Sequence, residues 1–214
     1  MNRITDNLEP IALSVRETFS ARDRSREKTL PLCRDVIRHA SLAIRAVHRR
    51  EYDHAADIIK KARLILEGIS RDQDILNELA NTNFIRDAQK EYAEAVITLS
   101  LVKGDALAAP DDLGIDAAAY LNGMGEAASE LRRYLLDSIR NGDLSRCEEL
   151  LAAMDEIYGT LVTIDFPDAI TGGLRRTTDM LRGVLEKTRS DLTLIMRQQE
   201  LAEKLAVLEQ LGNT

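Results

Sequence analysis

The sequence predicts an all-α protein, a bundle of seven long antiparallel helices, on two observations. Aromatic residues make up only 4% of the 214 residues, Trp is absent, and just 4 Pro and 11 Gly interrupt the chain. This composition disfavours β-sandwiches and barrels, which need aromatic and β-branched strands with frequent turn residues. Apolar residues instead recur at steps of three and four over most of the chain, which is the period of an amphipathic helix.

The first helix is predicted over residues 3–49 as one long element. Pro31 falls inside it, and we expect this proline to kink the helix rather than end it. The two halves carry apolar stripes, first Ile4, Leu8, Ile11, Val15 and Phe19, then Leu30, Cys33, Ile37, Ala40, Ile44 and Val47.

The next three helices follow from similar stripes. The second carries Ala55 to Ile69, a short third one fits 73–80, and the fourth carries Ile85 to Leu99. Residues 103–114, with Pro110 followed by two aspartates, are predicted to form a loop.

The last three helices complete the bundle. The fifth is predicted from about residue 116 to 140, where Asn141-Gly142 ends it. Ser145 and Glu148 have capping-box spacing for the sixth. After a turn at 165–168, Thr171 is the predicted cap of a final helix that runs toward Leu208.

Composition and charge limit the class of protein. Charged residues are 30% and hydrophobic residues 44%, as in soluble globular domains. No run approaches the roughly 18 apolar residues that span a bilayer, and the first twenty residues lack an apolar signal-peptide core. We therefore expect one helical domain over 1–214 that is cytoplasmic and makes no membrane contact. The net charge of −7 disfavours a uniformly basic nucleic-acid coat but leaves room for a local basic patch.

Two pairs of carboxylates are the most informative chemical feature. Glu91 and Glu94 are three residues apart, and Glu126 and Glu130 are four apart, so each pair shares one face of its helix. The helix after Glu91 is apolar nearly all round, and small residues surround Glu126. If these helices pack antiparallel, four carboxylates converge in a crowded site, where a hard divalent cation such as Mg²⁺ would compensate their charge.

Residue spacing alone leaves other interpretations open. With 36 acidic residues in the chain, such pairs also arise on solvated helix faces, and Lys90 or Arg133 could form ordinary ion pairs with them. The motif Glu51-x-x-His54 has di-iron spacing, but those bundles need two such motifs. His39, His48 and His54 are predicted to be ordinary surface or core histidines.

Five motifs in order resemble the translin family, and especially translin-associated factor X, over nearly the whole chain. The chain is similar to the stand-alone archaeal members. The matching segments are Leu32-Cys33-Arg34-Asp35-Val36, Glu91-Tyr92-Ala93-Glu94-Ala95, Tyr120-Leu121-x-Gly123 with Ser129-Glu130-Leu131, Asn141-Gly142-Asp143, and Leu174-Arg175-Arg176 with Asp179.

The resemblance implies a translin-like seven-helix subunit in a hollow homo-oligomer, usually an octamer, that binds single-stranded RNA or DNA. It also implies that Glu91, Glu94, Glu126 and Glu130 are the catalytic and metal-binding acids of a Mg²⁺-dependent (or Mn²⁺-dependent) endoribonuclease acting inside the hollow. Glu126 departs from the family pattern, where Asp is common, and its extra methylene changes the reach of the carboxylate.

The nucleic-acid-binding residues implied by the resemblance are all arginines. The family's basic segment before the fourth helix is poorly matched, with one arginine in place. Phosphate contacts would make this binding salt-dependent, and the scarcity of aromatic residues predicts weak sequence preference. The implied residues are Arg34, Arg86, Arg175, Arg176 and Arg182.

The sequence therefore predicts an enzyme that binds and cleaves single-stranded RNA. The main alternative is a non-catalytic, single-stranded RNA- or DNA-binding oligomer of the translin type. Two further alternatives are a helical nucleotide pyrophosphohydrolase, whose second acidic motif is spaced differently, and a helical scaffold without a ligand.

Overall fold

The computed structural model describes residues 5, 7–73, 75, 79 and 82–212, and within these residues every regular element is helical. The predicted all-α class is confirmed. The predicted short helix over 73–80 lies mostly outside the described residues. The helices are α1 (Leu8–His48), α2 (Tyr52–Arg71), α3 (Asn83–Lys103), α4 (Pro110–Leu113), α5 (Ala117–Arg140), α6 (Cys147–Leu161), α7 (Asp168–Thr171) and α8 (Leu174–Gly212).

Helix α1 runs for 41 residues and passes through Pro31 without ending. Its second half packs on α2 and α3, while α5 lies between α3 on one side and α6 and α8 on the other. Short connections such as 49–51 make consecutive helices antiparallel neighbours. The buried core is therefore assembled around α3 and α5, the two helices that carry the acidic pairs.

Three local predictions at helix ends were wrong. Pro110 begins a one-turn helix inside the predicted loop, where Asp112 accepts the backbone N–H of Ala109. Ser145 does not cap α6, because its hydroxyl donates to Asp143 at 2.7 Å instead. Thr171 ends α7 rather than capping the last helix, which begins after two glycines.

The outer parts of the two longest helices extend beyond the packed core. In α1 the residues before Ser25 are mostly exposed, and in α8 no residue after Leu192 is buried among those described. Both segments keep large apolar side chains in solvent. These are Leu8, Ile11, Leu13, Val15 and Phe19 in α1, and Leu194, Met196, Leu201, Leu205, Val207, Leu208 and Leu211 in α8.

Candidate metal centre and nucleic-acid interface

The site depends on a close approach of α3 and α5. A Cβ atom built on Gly123 would lie 2.6 Å from the backbone oxygen of Lys90 and 2.7 Å from the Cβ of Ala93. Only glycine lets the two backbones come this near. The contact brings the helix turn that carries Glu91 and Glu94 beside the turn that carries Glu126.

The opposite side of α5 is fixed against α8. A Cβ on Gly125 would lie 2.4 Å from the Cγ2 atom of Thr177. Next to it, the buried Asn122 amide donates to the carbonyl oxygen of Thr171 at 2.8 Å and accepts the Thr177 hydroxyl at 2.6 Å. Because these polar groups satisfy one another in the core, they hold α5 rigidly behind the acidic cluster.

Three of the four predicted acids form one cluster. Glu91, Glu94 and Glu126 each offer a carboxylate oxygen, and these oxygens lie within 4.8 Å of one another. Glu94 is the buried member, with 9% of its surface exposed. The side chains of Glu91 and Glu126 are about a quarter exposed, so the cluster opens to solvent on one side.

The electrostatics of the cluster favour a proton or a cation. Burial, followed by the charges of Glu126, Glu91 and Glu130, raises the pKa of Glu94 to about 8. Burial also raises the pKa of Glu91, although Lys90 acts in the opposite direction. Like charges held together out of water cannot all ionise freely, and a divalent cation would remove that penalty.

Lys90 is the positive charge within the cluster. Its Nζ atom lies 2.7 Å from Oε1 of Glu126 and 3.7 Å from Oε1 of Glu91. Burial lowers the pKa of Lys90, but the hydrogen bond and charge of Glu126 outweigh it and raise the pKa overall. One ammonium group cannot balance the charge of three carboxylates when all three are ionised.

Glu130 is placed differently from the other acids. The sequence predicts that four carboxylates meet at one point, but Glu130 is outside the group of three. Its Oε2 atom accepts a hydrogen bond from Nε2 of His48 at 2.6 Å, which lowers the pKa of the Glu130 carboxyl. The charge of Glu130 still acts on Glu94, so it lies at the edge of the cluster.

The cluster fits a hard divalent cation. It offers only carboxylate oxygens, which are the ligands that Mg²⁺ and Mn²⁺ take in proteins. One of its carboxyl groups, that of Glu94, is buried and has a strongly raised pKa. Glu91, Glu94 and Glu126 would hold the ion. The open side leaves room for the water molecules that Mg²⁺ retains.

The five predicted RNA-binding arginines fall into three places. Arg86 and Arg176 line a cavity of about 630 Å³ that also includes Lys90 and Glu126, so this cavity adjoins the acidic cluster. Arg175 and Arg182 line a different cavity of about 840 Å³. Arg34 is exposed on α1 and lines neither cavity.

No family model matches the chain. An uncharacterised protein of Methanocaldococcus jannaschii, MJ0175, is 30% identical over 190 residues, which cover 86% of this chain and 82% of the relative. The structure of AfC3PO in complex with duplex RNA is 31% identical, with a TM-score of 0.76, and the match covers 90% of this chain and 97% of that chain. The chain belongs to the translin/C3PO family.

A second C3PO structure agrees with this assignment, and a third shows the shared fold alone. The crystal structure of AfC3PO is 28% identical with a TM-score of 0.75, covering 90% of this chain and 98% of that chain. Apo-NeC3PO shares the fold at 15% identity and a TM-score of 0.73, covering 91% and 100%. The predicted translin-like resemblance is thus confirmed at the level of the family.

His48, which donates a hydrogen bond to Glu130, is a residue of the acidic site in this translin-family chain that the sequence did not predict. It was predicted to be an ordinary histidine, and its spacing from Glu130, 82 positions along the chain, carries no local signal. Lys90 was foreseen only as one of two candidate ion-pair partners. No helix in the described part of the chain is long and apolar enough to cross a membrane.

Proposed function

We propose that this protein is a metal-dependent endoribonuclease of the factor X type that binds and cleaves single-stranded RNA inside a hollow homo-oligomer. The observation that carries the proposal is the cluster of Glu91, Glu94 and Glu126, whose carboxylate oxygens lie within 4.8 Å of one another. All four acidic positions of the catalytic type are filled in this chain, which supports the factor X assignment over the translin type.

The acidic residues would hold Mg²⁺ or Mn²⁺, with Glu130 supporting the group from its edge. When bound, such an ion supplies an activated water and neutralises charge that develops on a phosphodiester. Glu94 is oriented by its burial in α3, and Glu126 by the close contact of its helix at Gly123. Hydrolysis of this kind leaves a 5′-phosphate and a 3′-hydroxyl on the products.

The substrate class follows from the cavity beside the acids. Arg86, Lys90 and Arg176 bring three positive charges to one cavity whose wall includes Glu126. Cations in this arrangement attract the phosphates of a nucleic-acid strand, and one end of that strand would then pass the acidic cluster. The complex of AfC3PO with duplex RNA supports RNA as the ligand of this chain too.

The exposed apolar segments of α1 and α8 support an assembly, which we propose is a homo-octamer. Several leucines in the last turns of α8 are more than half exposed, among them Leu201 and Leu208. Large apolar side chains in solvent are a cost to a monomer, and burial against a second copy removes it.

A cleavage assay tests the proposal. Single-stranded RNA is incubated with the protein in Mg²⁺, Mn²⁺ or EDTA, with duplex RNA and single-stranded DNA as parallel substrates. We expect cleavage of single-stranded RNA with either metal and none in EDTA. Glu91→Gln and Glu126→Gln should each lower the rate at least about 100-fold, because both remove a proposed ligand of the ion.

The exposed Glu148 on α6 provides the control, and Glu148→Gln should cleave like the unchanged protein. Activity that survives EDTA and both site variants would refute the proposal. Cleavage of duplex RNA alone would correct the strand class while keeping the chemistry.

The non-catalytic alternative has one observation in its favour. Lys90 already forms an ion pair with Glu126, and His48 a hydrogen bond with Glu130, so two of the four acids have a partner without a metal. In that case RNA would be bound and protected, yet remain uncut in both Mg²⁺ and Mn²⁺.

A further inference from the structure

His48 is the last residue of α1, and it lies against the acidic site from a third helix. Only 5% of its side chain is exposed, and its Nε2 atom is 2.6 Å from Oε2 of Glu130. The residues just before it, Ala46 and Val47, are fully buried in the core. The imidazole ring is therefore held by a packed helix and cannot swing away from Glu130 without disturbing that packing.

The ring has a single polar contact in the described structure. Its other nitrogen, Nδ1, is buried and has no hydrogen-bond partner there. Nε2 must carry the proton, because an ionised carboxylate only accepts hydrogen bonds. The ring's one N–H donor is thus directed at Glu130.

A purely structural histidine explains this arrangement poorly. Burying a ring nitrogen without a partner costs free energy that an apolar side chain of similar size would not lose. What an apolar side chain could not do is hold the Glu130 carboxylate in place. That carboxylate lies at the edge of the cluster and its charge acts on Glu94, so its orientation affects the acids that would bind the ion.

We propose that His48 is a positioning residue that fixes the Glu130 carboxylate at the edge of the acidic cluster by binding Oε2 and directing Oε1 toward the metal ion or its water. Oε1 accepts no hydrogen bond from any residue that the structure describes. The inference rests on the metal site of the proposed function. Partners that orient a metal-binding carboxylate typically change metal affinity 10–100-fold when they are replaced.

Mn²⁺ binding in the absence of RNA tests this role without any catalytic readout. Unbound Mn²⁺ is measured by electron paramagnetic resonance for the unchanged protein, His48→Phe and His48→Gln. Phenylalanine keeps the buried ring but removes the donor, whereas glutamine keeps an N–H donor near the position of Nε2. We expect His48→Phe to bind Mn²⁺ about 10–100-fold more weakly, and His48→Gln to recover most of that loss.

Two further variants make the result specific. His54→Ala, at an exposed histidine on α2, should bind like the unchanged protein. In a Glu130→Ala background, replacing His48 with either residue should change nothing further, because the carboxylate that it positions is gone. If His48→Phe proves unstable, His48→Met, which also lacks a hydrogen-bond donor, takes its place in both backgrounds.

The outcomes separate the two proposals. If the unchanged protein binds Mn²⁺ and His48→Phe binds it equally well, the role of His48 is refuted while the metal site stands. An equal loss for His48→Phe and His48→Gln, or a loss that persists in the Glu130→Ala background, also refutes it. If the unchanged protein takes up no Mn²⁺, the proposed metal site itself is wrong and the role of His48 fails with it.

Discussion

Among the acids of the site, Glu94 has the most strongly raised pKa. It lies in the core side of α3 with two other carboxylates around it, and its pKa is raised to about 8 from the ordinary 4.5. The folded chain therefore holds this proton over a pH range in which the unfolded chain has lost it. A group of this kind reports directly on whether the cluster is assembled as described.

Stability of the metal-free protein should fall as pH rises from about 4.5 to about 8, and Glu94→Gln should abolish much of that fall. Below this range both states are protonated, and above it the folded state carries the full cost of the buried charge. Each unit of the pKa shift corresponds to about 1.4 kcal/mol, so a difference of a few kcal/mol is expected at pH 8. Chemical denaturation in EDTA at several pH values measures it. Parallel curves for the two proteins would contradict the assignment.

Adjacent arginines provide a second test at the scale of single residues. Arg175 and Arg176 are both exposed on the first turn of α8 but line different cavities, and only that of Arg176 adjoins the acids. Arg176→Gln should weaken RNA binding in EDTA and reduce the slope of log affinity against log salt by about 0.7, the value for one single-strand phosphate contact. Arg175→Gln should leave the slope unchanged, and equal effects would place the strand elsewhere.

The acidic pairs were predictable from the sequence because three- and four-residue spacings define one helix face. The side chains that pair with those acids were only partly predictable. Lys90 adjoins Glu91 in the chain, whereas His48 reaches Glu130 from another helix. Whether Arg175 or Arg176 shares a cavity with the acids depends on where α7 turns into α8, which helical periodicity does not predict.

At the scale of elements, the distance between α3 and α5 determines whether the acids meet. Gly123 sets that distance, because any side chain there would collide with the backbone of α3. The helices themselves were predictable from apolar periodicity, but their separation was not. Ser145 does not cap because its hydroxyl donates to Asp143, and Thr171 does not cap because it ends α7, where Gly172 takes a left-handed conformation.

Gly123→Ala should destabilise the protein by about 1–3 kcal/mol, because the added methyl group forces two packed backbones apart. It should also weaken Mn²⁺ binding by moving Glu126 away from Glu91 and Glu94. Gly183 is the matched control, since it is a helical glycine in α8 with no atom within 4 Å of an added Cβ. Gly183→Ala should stabilise the chain by up to about 1 kcal/mol through helix propensity. Equal behaviour of the two variants in denaturation would contradict the close approach.

At the scale of the whole molecule, the long helices leave apolar surface that one subunit does not cover. In α8 the exposed leucines Leu194, Leu201 and Leu208 recur every seven residues, which is the spacing of a seam between packed helices. The repeat was visible in the sequence, but its exposure became evident only in the fold. This surface would account for the self-association that we propose, without involving the acidic site.

Replacing Leu201 and Leu208 together with Lys should shift the protein to smaller species. Charges on a buried seam are costly to desolvate, so the assembly should dissociate while the helical content is retained. Sedimentation velocity at micromolar concentration measures the change. Gln199→Lys, on the opposite face of α8, should leave the mass unchanged. An unaltered assembly in the leucine variant would show that this segment is not an interface.

The central claim is that Glu91, Glu94 and Glu126 hold one divalent ion, and anomalous diffraction from crystals soaked in Mn²⁺ tests it most directly. The account predicts an anomalous peak about 2.0–2.3 Å from carboxylate oxygens of these three residues, with Lys90 turned away from Glu126. The same crystals of Glu94→Gln should lack the peak. Diffraction that shows Mn²⁺ only at other acidic groups, with the Lys90 ion pair intact, would contradict the claim.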